Sequence, residues 1–91
     1  MRDINIVIVN WKMKNDIDRC LGSLFADAKD GGLDIIVHII DNSRNADGVK
    51  ELLEKYVGVK YIDPGGNIGF GKAQNLGFKS AEAKFYLALN F

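Results

Sequence analysis

Ninety-one residues allow one small domain, which buries only about 60% of the surface its unfolded chain exposes, so a deep pocket with two walls is hard to build. Twelve basic residues balance twelve acidic ones with no long run of either sign, and without a basic field no nucleic-acid or membrane-surface binding is expected. A hydrophobic share of 47% beside 26% charged residues is that of a folded chain rather than a disordered one.

From the amino end, Ile4 to Val9 is a short, mostly β-branched run closed by Asn10, which suits a strand buried on both faces as in a parallel sheet. It is too short for a signal-peptide core or a bilayer span, so no transmembrane segment and a cytoplasmic location are expected. Beyond Asn15, apolar residues recur at Ile17, Cys20, Leu21, Leu24, Phe25 and Ala28, the spacing of one helical face. Asn15 or Asp16 is the expected cap, and Gly31 with Gly32 the stop. Cys20, the only cysteine, lies on that stripe and reads as a core thiol.

Leu33 to Ile40 forms a second buried strand, ended by Asp41, Asn42 and Ser43. His38 lies inside it with no second His or Cys at metal spacing and reads as a strand-face residue. A second helix sets Val49, Leu52, Leu53 and Tyr56 on one face and stops at Gly58. A short strand, Val59 to Ile62, leads into a glycine-rich loop, Asp63 to Gly71. The pattern then predicts a helix from about Phe70 to Ala83 and a fourth strand over Phe85 to Leu89. Ala73 and Gly77 are small enough to let that helix lie close to the sheet. The alternation β-α-β-α-β-α-β predicts an α/β fold, three layers α/β/α around a mainly parallel four-stranded sheet with right-handed crossovers. Residues 1–91 read as a single unit, half of a larger Rossmann-like domain.

Ligands of open α/β sheets bind beyond the carboxyl ends of the strands. There the chain sets Asn10, Trp11 and Lys12, then Asp41, Asn42 and Ser43, then Asp63 with the glycine loop, then Asn90. Asp41 leads the candidates, because a strand-tip carboxylate can accept a hydrogen bond from a pyrimidine imide or a ribose hydroxyl. It equally suits an Asx turn that caps the next helix, and Asn42 and Ser43 read as turn residues. Trp11 either flanks a base or shields the sheet edge. Gly66 to Lys72 matches the phosphate loop G-x-x-x-x-G-K, but Ala73 stands where a hydroxyl should ligate magnesium. A dinucleotide fingerprint fails too, since NWKMKND after the first strand contains no glycine. What remains is a loop whose glycines Gly65, Gly66, Gly69 and Gly71 permit close backbone approach, leading into a helix start that attracts anions, with Asn67, Lys72 and Asn75 nearby. The plain alternative is a tight turn with no ligand.

The ordered set IVIVNW, IIDNS, GGNIGFGKAQNLG and LALN resembles the amino-terminal half of family 2 glycosyltransferases of the GT-A fold, above all their rhamnosyltransferase-like branch. The resemblance covers the whole chain. It implies a half-domain that binds a nucleotide-diphosphate sugar, with UDP or dTDP as the nucleotide, and a strand order 3-2-1-4. Val9, Asn10 and Trp11 would lie along base and ribose, and Asp41 would contact the base. Asn67, Gly69, Phe70, Gly71 and Asn75 would lie near base and phosphates. The resemblance also implies a divalent metal, Mg or Mn, for the full-length family. Its acidic ligand follows LALN in relatives, whereas Asn90 is followed here by Phe91. No cofactor and no catalytic residue are therefore expected within this chain, nor is sugar transfer by it alone. Two alternatives stand beside that reading. One is a non-enzymatic module that keeps the fold and forms a homo-oligomer through an exposed sheet edge at FYLALNF. The other is a nucleoside triphosphatase acting through Lys72.

Overall fold

The computed structural model describes residues 1–91. Along the chain run β1 (Arg2–Asn10), α1 (Lys14–Gly31), β2 (Ile35–Asp41), α2 (Val49–Leu53), β3 (Val59–Ile62), α3 (Phe70–Lys79) and β4 (Ala83–Leu89). Every neighbouring pair of strands is parallel, and the order is β3-β2-β1-β4, as the resemblance implied. Right-handed crossovers then decide the layers. Growth from β1 through β2 to β3 runs one way, so α1 and α2 share a face; the return to β4 runs the other way, so α3 takes the opposite face.

Strand alternation feeds both layers. On one side Ile6 and Ile8 of β1 and Ile35, Val37 and Ile39 of β2 bury against Ile17, Leu21 and Ala28 of α1 and Val49 and Leu53 of α2. On the other, Val7 and Ile40 pack on Ala73 of α3. The small residues of α3 do what their size predicts: a Cβ at Gly77 would stand 2.5 and 2.8 Å from the methyl carbons of Val7. Cys20 is half-buried beside the α1 core, and its burial pushes the thiol pKa up.

Asn5 interrupts the apolar run of β1 and is fully buried on the α3 side. Its amide nitrogen donates to the carbonyls of Gly77 at 3.2 Å and Ala81 at 3.3 Å, and its oxygen lies 2.7 Å from Nδ1 of His38. With both amide hydrogens committed, the oxygen must accept, so His38 carries its proton on Nδ1. His38 thus sits on the strand face as read, and burial, with the charge of Lys60, lowers its pKa.

Several element ends differ from the sequence pattern because of the partners they meet. Neither Asn15 nor Asp16 caps α1; the backbone N–H of Lys14 donates instead to Oδ2 of Asp47 at 3.1 Å. Helix α2 closes at Leu53, because the N–H groups of Glu54 and Tyr56 turn back to Glu51 and Leu53 in tighter bonds. Tyr56 still packs inward, stacked at 6.1 Å on Phe25, so apolar spacing outlasts the helix. Helix α3 ends at Lys79 rather than near Ala83, since Asn5 takes the Gly77 and Ala81 carbonyls and Ser80 Oγ donates to the Leu76 carbonyl at 2.7 Å. Strand β2 starts at Ile35, not Leu33, behind the N–H of Asp34 donating to Oδ2 of Asp3 at 2.8 Å. No helix is long and apolar enough to cross a membrane.

Candidate functional site

The sheet reverses its direction of growth between β1 and β4, and such a reversal opens a crevice at the carboxyl edge because the two connections leave toward opposite faces. A cleft of about 470 Å³ lies there. Three aromatic rings, Trp11, Phe70 and Phe91, and three amides, Asn42, Asn67 and Asn90, make most of its wall, with Val9, Met13 and Gly69 between them. No charged side chain is among them.

The last residues of β1 and β2, Asn10 and Asp41, are register partners and fully buried, next in the chain to the wall residues Val9, Trp11 and Asn42. Oδ1 of Asp41 accepts from Asn10 Nδ2 at 3.0 Å, from the Ser43 N–H at 3.1 Å and from Ser43 Oγ at 2.6 Å. Oδ2 accepts from the Asn45 N–H at 2.8 Å and from the Tyr61 hydroxyl at 2.9 Å. Burial alone would push this carboxyl up, but the hydrogen bonds from Ser43, Tyr61, Asn10 and Asn45 outweigh it and hold the pKa below 3.8. The same pairing, with burial, raises the Tyr61 pKa. Five donors meet about four lone-pair directions, so the Asx turn is made and the carboxylate is spent inside the protein. Asn10 is used as fully: its oxygen accepts the Met13 N–H at 2.9 Å, and its nitrogen also reaches Asp47 at 3.4 and 3.5 Å.

Asn42, the next residue, spans to the glycine loop. Its nitrogen donates to the Gly69 carbonyl and its oxygen accepts the Ile68 N–H, both at 3.4 Å. Asn67 steadies the same loop by accepting the Gly69 N–H at 2.9 Å. Gly69 itself has φ 84° and ψ 164°, a backbone conformation essentially restricted to glycine. No side chain caps α3 behind it, so the first N–H groups of that helix stay without partners at the rim of the cleft.

Of the residues singled out from sequence, Val9, Trp11, Asn67, Gly69 and Phe70 come together on the cleft wall. Asn10 and Asp41 are not on it; strand alternation puts them on the α1 side with Ile8 and Ile39. Gly71 falls in the first turn of α3 and needs no left-handed backbone. Asn75 is not brought to the others; with Lys72 and Lys79 it lines a shallow depression on the flank of α3. Trp11 is 51% exposed and flanks the cleft instead of closing the sheet edge. The sequence reading omitted Met13, Asn90 and Phe91 from the site and took Asn42 for a turn residue. Register would have found Asn42: with Asn10 and Asp41 side by side as strand tips, Trp11 and Asn42 are the residues that step past the edge.

The donor set does not fit a divalent ion. No three His, Cys, Asp or Glu side chains gather anywhere in the chain, and the nearest carboxylates, Asp41 and Asp47, already accept hydrogen bonds at both oxygens.

Nothing among the curated proteins matches this chain. A family description does: the one for glycosyl transferase family 2 matches residues 5–90, a span that starts within β1 and ends just past β4. With the parallel sheet, its order and the cleft at the reversal all inside that span, the chain belongs to glycosyl transferase family 2.

Proposed function

We propose that the cleft binds the nucleoside of a nucleotide-diphosphate sugar, UDP- or dTDP-linked, as the donor-side part of glycosyl transfer. The observation that carries this reading is the uncharged wall of three rings and three amides at the sheet reversal. Rings of this kind stack on a base, which is worth about 1–3 kcal/mol per base. Amides offer both donors and acceptors to the imide and carbonyls of a pyrimidine. Trp11 and Phe70 flank the base, Asn42 and Asn67 meet its polar edge, and Asp41 with Asn10 braces the strand ends that carry Trp11 and Asn42. The diphosphate lies at the rim, against the unpartnered N–H groups at the start of α3.

The walls carry no group that gives or takes a proton near neutral pH, so the chemistry of this cleft is binding and orientation. A phosphate loop acting through Lys72 is disfavoured, since that side chain lines the depression on the flank of α3.

Titration calorimetry with UDP, dTDP and ATP tests the reading. A pyrimidine diphosphate is expected to bind in preference to ATP, and Trp11→Ala, at a half-exposed position, to weaken binding about ten-fold without changing thermal unfolding. Absence of heat with every nucleotide, from a chain that unfolds cooperatively, overturns it.

A further inference from the structure

We infer that Lys12 is a positioning residue of the cleft: its ammonium, laid on the indole of Trp11, holds that ring ready to stack on the base, an inference that rests on the nucleoside reading above. The ammonium stands 5.1 Å from the ring centroid. Both side chains are exposed, yet Trp11 belongs to neither aromatic pair of the chain and Lys12 to none of its ion pairs. Each is left to the other. Trp11 and Met13 line the cleft while Lys12 between them does not, so the cation braces the ring without standing inside the cleft.

The backbone arranges this contact. In an extended strand consecutive side chains point to opposite sides, which would carry Lys12 away from Trp11. Past the end of β1 the chain turns instead. The Met13 N–H donates to Oδ1 of Asn10 at 2.9 Å, and that of Lys14 donates to Oδ2 of Asp47 at 3.1 Å. Inside the turn Lys12 has φ 58°, in the left-handed region where a residue with a Cβ is strained and glycine is the usual occupant. Glycine would make the turn with less strain and leave the indole uncovered. What the lysine adds is the attraction between cation and ring, and a ring held before the ligand arrives loses less freedom on binding.

Trp11 is the single tryptophan, so its fluorescence reports this ring alone. Lys12→Met keeps most of the stem and removes the charge. In the ligand-free chain it should speed the local part of the tryptophan anisotropy decay, and by calorimetry it should weaken UDP binding about three-fold. Lys12→Arg keeps the cation and should restore both. Lys12→Gly suits the turn but lacks the side chain, so it should unfold no earlier than the native chain and yet bind UDP as weakly as Lys12→Met. Ring motion and affinity that Lys12→Met leaves unchanged, or that Lys12→Arg fails to restore, overturn the inference alone. A native chain that binds no nucleotide overturns the nucleoside reading and the inference with it.

Discussion

Asp41 shows how far a sequence can go with a single side chain: a ligand contact and an Asx turn both stood open, and the turn is made. Its position at a strand tip was legible, and so was the turn it makes; what a sequence cannot display is that Tyr61, on the neighbouring strand β3, and Asn10, on β1, complete its shell of donors. A base imide could reach this carboxylate only by displacing one of them. The residue therefore ties together the ends of β1, β2 and β3, and its replacement should be felt in stability first. Asp41→Asn keeps the shape but turns a donor toward donors, and should cost about 3 kcal/mol by urea unfolding at neutral pH. The pH profile gives a second signature. Because the folded-state pKa lies below 3.8, the native chain draws stability from Asp41 above that value and loses it as pH falls through the folded pKa. The Asn variant lacks that loss, so the two stability curves should converge in acid. Trp11, just past the tip of β1, and Phe70, the first residue of α3, both keep their rings about half exposed.

At the level of elements, the helices were found by their apolar spacing, as were the glycine stop of α1 and the start of α3 at Phe70, but other ends were not, because they are set by partners far along the chain. Asp47 is the clearest case. One oxygen accepts the N–H of Lys14, the first residue of α1, at 3.1 Å, and the other accepts the N–H of Val49, the first residue of α2, at 3.2 Å. A local search for an N-cap finds Asn15 and Asp16, whereas the working cap of α1 is 33 residues away. Asp47→Ala should lower stability by about 2 kcal/mol, since two helix starts lose their acceptor together. Chemical denaturation measures the loss, and a substitution of Asn15, which caps nothing, should leave stability near the native value. The α3–sheet contact was legible for the opposite reason: Ala73 and Gly77 are local, small and spaced to face one way, and nothing remote was needed to interpret them.

For the molecule as a whole, the succession of strands and helices, the parallel sheet and the edge that carries the cleft follow from alternation and crossover handedness. The composition of the cleft does not, since it depends on which side chains the reversal between β1 and β4 brings within reach of each other. That composition makes a measurable prediction. With an uncharged wall and no net charge on the chain, uridine affinity should hold as salt is raised, while the extra affinity of UDP, which depends on the dipole at the start of α3, should fall. Calorimetry at low and physiological ionic strength separates the two. The buried amide of Asn5 has a consequence for folding fidelity. Strand β1 sits at the centre of the sheet, and its isoleucines and valines would tolerate many alignments with β2 and β4. A slip by one residue would turn Asn5 into the aliphatic layer under α1, away from His38 and the end of α3, leaving its polar atoms unmet among hydrocarbon. One amide thus penalises the misaligned states that an all-aliphatic strand would leave nearly degenerate with the native one.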